Sequence, residues 1–170
     1  MIAANMGFIY YLAGDYSRAE ESEKSAIQMD PSFVPAYTYL GQICLEKKQH
    51  KEAIEQFQTA LALSPGDNEP LEYLAYAHAI SGNKKEAEEI LKELQKRKKR
   101  VTGYDYAVIY AGLRDADETL EWLEKAYVEK SGRLVNLQVH PQFAFLRGER
   151  RFDSIVEKIW GNKLLAPSQQ

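Results

Sequence analysis

The groups that could carry acid–base, nucleophilic or metal chemistry are few and scattered. The histidines are His50, His78 and His140, and the single thiol is Cys44. The sequence has no HExxH pair, no paired-cysteine motif and no glycine-rich phosphate loop. Cys44 falls in an apolar stripe with Leu40 and Ile43, where burial disfavours the thiolate that a nucleophile or ligand needs. His78 takes the corresponding slot one helical unit later and reads as a packed histidine. His50 lies in the polar stretch KKQHK and reads as solvated. His140 precedes Pro141, so it is expected to face water or to cap the short helix that proline can open. The acidic pairs Glu20–Glu21 and Glu88–Glu89 fall on outer helix faces. These residues predict no catalytic centre, metal or cofactor, so the chain reads as a non-enzyme.

Charge offers one other possibility. Lys92, Lys96, Arg97, Lys98, Lys99 and Arg100 crowd residues 92–100. They close a helix, where cations complement the macrodipole, and no aromatic residue interleaves with them. Nucleic-acid or phosphate binding through 92–100 is therefore the alternative reading. A formal net charge of −3 supplies no general attraction to polyanions. Arg147, Arg150 and Arg151 form a smaller basic cluster with the same solvated default.

The elements that position these residues follow from periodicity. The 170-residue chain is 28% charged and 45% hydrophobic, ordinary values for a soluble protein. One cysteine rules out an internal disulfide framework and leaves the compartment open, cytoplasmic by default. The apolar start MIAANMGFIYYLA has no Lys or Arg before it, unlike a signal peptide. No apolar run approaches the roughly 18 residues of a membrane span. In residues 34–67 a helical stripe at Tyr37, Leu40, Ile43 and Cys44 is followed by the polar turn. A second stripe runs through Ala53, Ile54, Phe57, Ala60 and Leu61, and Pro65 stops it. Gly41 and Ala53 are small enough for two helix backbones to approach, with Phe57 beside them.

That spacing recurs. Small residues of the first helix fall at Gly7, Gly41, Ala75 and Ala107, in steps of 34, 34 and 32. Those of the second fall at Ala19, Ala53, Ala87 and Thr119, and a late slot falls at Ala26, Ala60, Leu94 and Ala126. The first unit departs at Glu23, where an aromatic or aliphatic filler is usual. The pattern resembles the tetratricopeptide repeat, a helix–turn–helix unit of about 34 residues. The resemblance implies an all-α, right-handed α-solenoid with units at 1–33, 34–67, 68–99 and 100–133. Residues 134–170 would add capping helices, one opened by Pro141 and one over 149–160, and a frayed tail. WLEKAY, VHPQFAFLR and RRF further resemble the C-terminal repeat regions of multidomain bacterial signalling proteins.

Arrays of this family curve so that the first helices line a concave groove. Here the resemblance places Ala4, Phe8, Tyr11 and Leu12 on it, then Thr38, Gln42, Leu45 and Glu46. Glu72, Tyr76 and Ile80 follow, and last Tyr104, Val108 and Ala111. The expected site is this apolar and aromatic trough, and the expected ligand is a peptide or partner protein. Some relatives bind a C-terminal carboxylate through basic groove residues. The matching positions here hold Ala4, Phe8, Tyr39, Glu69 and Tyr73, none of them basic, which argues against that mode. The first unit has no polar cap before it. The chain is thus expected to be the C-terminal part of something longer, and to self-associate through that exposed edge.

Overall fold

The computed structural model describes residues 2–97 and 101–161, with side chains from residue 6 onward. Among the described residues every regular element is helical. Helices pair as hairpins: α1 (Ile2–Leu12) with α2 (Tyr16–Met29), and α3 (Val34–Glu46) with α4 (His50–Leu63). They continue with α5 (Asn68–Ile80) and α6 (Lys84–Lys96), then α7 (Gly103–Gly112) and α8 (Ala116–Val128). Two 3₁₀ helices, Gly132–Asn136 and Pro141–Leu146, lead to α9 (Arg150–Trp160). The architecture is the α-solenoid that the resemblance implies. The expected boundary at 99 and 100, Lys98, Lys99 and Arg100, the Ala4 side chain and the tail from residue 162 lie outside what is described.

The repeated small residues sit where helices cross. Gly7, Gly41, Ala75 and Ala107 are all buried, as are Ala19, Ala53, Ala87 and Thr119. At Gly41 an added Cβ would lie 2.5 Å from the Phe57 ring, so the glycine is the room that the ring occupies. In α9, Phe152, Ile155 and Val156 are buried and Ile159 packs against the same core.

Each hairpin turns through one left-handed residue: Gly14, Lys48, Gly82 and Arg114. The residue after it donates its N–H five residues back, as from Gln49 to the Cys44 carbonyl at 2.8 Å and from Asn83 to the His78 carbonyl at 2.9 Å. This is the Schellman ending of a helix, which favours glycine at that position. Lys48 adopts φ 61° with a Cβ, a conformation that costs an ordinary residue about 1 kcal/mol. Lys48→Gly should therefore raise stability by up to about 1 kcal/mol, less what glycine returns to the unfolded chain. Paired urea titrations check this.

Glu23 stands in the first unit where Phe57 stands in the second, and it is fully buried. A Cβ on Gly7 would collide with its carboxyl, and neither carboxyl oxygen has a hydrogen-bond partner among the described residues. Burial pushes Glu23 up to about 8 from its ordinary 4.5. The folded chain then keeps a proton that the unfolded chain releases over that window. The contribution of Glu23 to stability is greatest below about pH 4.5 and falls as pH rises toward 8, by at most about 1.4 kcal/mol per unit. Urea titrations at pH 5 and pH 8 should show this loss in the native chain and its absence in Glu23→Gln.

Candidate functional site

Helices α1, α3, α5 and α7 form the inner wall of the array. Tyr11, Thr38, Gln42, Leu45, Glu72, Tyr76, Tyr104 and Val108 are all buried there, while Phe8 and Leu12 are half-buried. Neighbouring hairpins account for only part of that cover. Residues 132–147 turn back after α8 and lie against this wall, with Leu134, Leu137, Phe143 and Leu146 buried in the core shared with Leu45, Tyr73, Tyr76, Tyr104 and Val108. The trough expected to stand open is thus occupied along part of its length by the chain itself. Phe143 and Leu146 do point back to the array, but onto its inner wall. They belong to a segment whose polar anchors lie far away in sequence.

The strongest anchor is Arg133. Its guanidinium makes two contacts to Glu72, one of them at 2.9 Å, and reaches Asp105 at 3.1 Å and Glu69 at 3.5 Å. It also lies over the Tyr104 ring, 4.2 Å from the centroid. Burial pushes the fully buried Glu72 carboxyl upward, and the Arg133 charge opposes that rise. Burial likewise works against the charge on Arg133, and Glu72 and Glu69 more than offset it, so the guanidinium stays cationic. Asp105 is held a second way, accepting from the Thr102 N–H at 2.6 Å in the capping box of α7.

Gln142 is the second anchor, donating to the hydroxyls of Tyr73 at 3.0 Å and Tyr104 at 3.4 Å. Phe143 meets the Tyr104 ring edge-on at 5.7 Å. His140, expected to face water or to cap a helix, is buried among Phe8, Tyr11 and Tyr104 at centroid distances of 6.2, 6.3 and 6.5 Å. Burial first, and the nearby Arg133 charge second, push its imidazole down to about 4, so the ring is neutral near pH 7.

Two clefts flank the returning segment. One, of about 670 Å³, lies between it and the end of the first hairpin and is lined by Tyr11, Leu12, Tyr16, Val139, Pro141 and Arg147. The other, of about 240 Å³, is lined by Phe8, Tyr39, Gln42, Tyr73, Arg133 and His140, with Glu69 also on it. Phe8 and Tyr39 stack at 5.1 Å along its wall. Of the remaining groove residues, Ile80 is half-buried and Ala111 buried, and Glu46 is half-buried, accepting from the Tyr16 hydroxyl at 3.4 Å. Sequence reasoning missed Arg133 and Gln142. One signal was available: Glu72 sits among apolar neighbours in LEYLAYA, and a carboxylate buried there needs a cation.

The other candidate groups stay apart. Burial pushes the Cys44 thiol up to about 11, away from thiolate chemistry. His78 is half-buried, short of the full core position expected for it, and His50, expected in water, is half-buried at the start of α4. Among the described residues no three His, Cys, Asp or Glu side chains are placed to hold a metal ion. No described helix is long and apolar enough to cross a membrane. In the basic run, Arg97 binds Glu93 at 2.9 Å and the Asp67 carbonyl at 3.1 Å, while Lys92 and Lys96 are exposed.

Comparison with known proteins bears on this arrangement. Two family models, each described as tetratricopeptide repeat, match residues 9–68 and 45–107, together more than half of the chain. Human protein O-mannosyl-transferase TMTC1 is 30% identical over 127 residues, which cover 72% of this chain and 14% of that protein. The crystal structure of a tetratricopeptide repeat protein from Parabacteroides merdae superposes with a TM-score of 0.53 at 19% identity, covering 92% of this chain and 62% of that one. The chain thus spans about one seventh of the curated relative's length, and the structural likeness speaks for the fold. Overlapping matches across three hairpins, with the same small residues buried at every helix crossing, place this chain in the tetratricopeptide repeat family.

Proposed function

We propose that this protein-interaction scaffold takes its partner on the inner wall, in the two clefts beside the returning segment. The carrying observation is that the wall is covered only in part: Phe8, Leu12 and Tyr39 stay half-buried, whereas Tyr11, Tyr73, Tyr76 and Tyr104 are buried. Phe8, Tyr39, Tyr11 and Tyr16 border the clefts, and Val139 lies on the rim, about half exposed. Aromatic anchors bury large area for little lost rotamer freedom, which suits them to an extended apolar peptide. On this reading Phe8, Tyr11, Leu12, Thr38, Gln42, Leu45, Glu72, Tyr76, Tyr104 and Val108 divide their work. The deep ones hold the returning segment, and Phe8, Leu12 and Gln42 border the space left for a partner.

A displayed peptide library selected on the protein tests this. Selected peptides should bind Val139→Glu or Leu12→Glu at least about tenfold more weakly than the native chain. Equal binding to both variants would contradict the reading.

The likeness of WLEKAY, VHPQFAFLR and RRF to bacterial signalling proteins supports a role within a larger signalling assembly. The transferase activity in the relative's name belongs to a protein of which this chain spans a small part. A second contact is favoured by the outer face of α1, where Met6 and Ile9 are 40% and 56% exposed. It would join two copies of the chain, and sedimentation showing a strict monomer at high concentration would remove it. Phosphate binding through 92–100 is the weaker rival, since Arg97 is already committed. Oligonucleotide titration at low salt would reveal it as binding that weakens steeply with added salt.

A further inference from the structure

A third cleft lies where the ends of α8 and α9 meet the first 3₁₀ helix. It holds about 440 Å³ and shares only Gly132 and Val135 with the 240 Å³ cleft on the inner wall. Tyr127, Val128, Val135 and Ile159 supply its apolar surface. Val128 is 78% exposed, Val135 47% and Tyr127 38%. These side chains arrive from α8, the 3₁₀ helix and α9, so tertiary packing assembles the patch. Single exposed apolar residues are ordinary, but several lining one concavity mark an interaction surface. The rim is cationic. Lys130 and Lys158 line the cleft, no Asp or Glu does, and neither lysine is in an ion pair among the described residues. Helices α8 and α9 both end here, and each carboxyl end carries roughly half a negative charge. Two lysines exceed that by about one unit charge, so the rim stays positive.

We propose that this cleft docks an acidic, apolar segment of a partner protein, in which one or two large apolar residues are flanked by Asp or Glu. The apolar side chain enters beside Val128, Val135 and Ile159 and covers surface that the fold leaves in water. The flanking carboxylates meet Lys130 and Lys158, whose aliphatic stems extend the apolar walls while their ammonium groups stay at the rim. Other occupants fit the charge worse. A basic segment meets two like charges. The residues that follow α9 in sequence, NKLLAPSQQ, bring Lys163 and no acidic side chain. Recognition of an anionic membrane uses clusters of roughly four to eight cations, and two line this cleft. Recognition here is independent of recognition on the inner wall, so either can fail without the other.

Methyl-labelled full chain, titrated with acetylated and amidated Glu-Leu-Phe-Glu, Gln-Leu-Phe-Gln and Lys-Leu-Phe-Lys peptides and followed by NMR, tests this. The acidic peptide should shift the methyl groups of Val128, Val135 and Ile159 saturably. It should bind at least about threefold more tightly than the neutral peptide, the order expected of two exposed ion pairs. The basic peptide should bind more weakly still, and added salt should narrow the differences. The paired change Lys130→Glu, Lys158→Glu, at two exposed positions, should reverse the order. No saturable shift at those methyl groups, a preference below about threefold, or an unreversed order in the charge-swapped chain would overturn the proposal. Methyl shifts that appear on concentrating the protein alone would give the cleft to a second copy and also overturn it. The same holds for Overhauser contacts from Leu164 or Leu165 to Val135, and for binding of phosphatidylserine vesicles that the charge swap abolishes. Should the charge-swapped chain not fold, the three peptides on the native chain decide.

Discussion

Replacing Arg133 with alanine should destabilise the C-terminal half of the array by about 3–5 kcal/mol, the range for removing one partner of a buried ion pair. Glu72 is fully buried and Asp105 is 7% exposed at its side chain, so both would lose their cation without gaining water. The Tyr104 ring would lose the guanidinium stacked on it as well. The returning segment should then loosen, because its other ties are apolar contacts and the Gln142 bonds. Urea unfolding measures the loss, and limited proteolysis should cut within 132–147 faster than in the native chain. Because the segment also packs on Phe8 and Tyr11, protection should fall around those residues of α1 as well as in α5 to α9, and least in the outer helices α2 and α4. The double change Glu72→Leu, Arg133→Met should recover only the share of the loss due to Glu72, since Asp105 still lacks its cation. An Arg133→Ala chain as stable and protease-resistant as the native one would refute the anchoring role.

Phe57→Ala should cost a similar amount, about 3–5 kcal/mol, by opening a cavity in the centre of the array. The ring is fully buried, fills the space beside Gly41 and stacks on Tyr73 at 5.8 Å, with 16° between the planes. It thus ties the second hairpin to the third, and its loss should be felt on both sides. Gly41→Leu attacks the same space by overpacking and should cost about 1–3 kcal/mol. The two changes should be non-additive. A leucine at 41 can occupy volume that the ring vacates, so the double variant should lose less than the sum of the singles. Strict additivity, or unchanged unfolding in both single variants, would mean that Gly41 and Phe57 do not share one crossing.

The parts of this structure legible in the sequence are those set by local spacing. Gly41, Ala53, Phe57 and Ala60 announce a helix crossing because each must sit a fixed number of turns from the next, and copies 34 residues away repeat the statement. Pro65 and the polar KKQHK mark the ends of helices for equally local reasons. The left-handed turns at Lys48 and Arg114 were less visible, because their places lack the glycine found at 14 and 82. Residues 134–147 read in sequence as the start of an end cap, because Pro141 can open a short helix there. Their position is decided by Arg133 meeting Glu72 and by Gln142 meeting Tyr73, contacts 61 and 69 residues apart that leave no local pattern. His140 was misplaced for the same reason. A histidine before a proline looks like a surface turn until the aromatic rings that enclose it arrive from α1 and α7.

The central claim is that the chain's own segment lies against its inner wall and leaves recognition to the clefts beside it. A nuclear Overhauser experiment on the native chain, reading the ring protons of His140, tests it most directly. Cross-peaks from that ring to Phe8, Tyr11 and Tyr104 together are the predicted result, given centroids 6.2–6.5 Å apart. A His140 ring with no such cross-peaks, titrating near 6.5 like a histidine in water, would mean an empty trough and contradict the account.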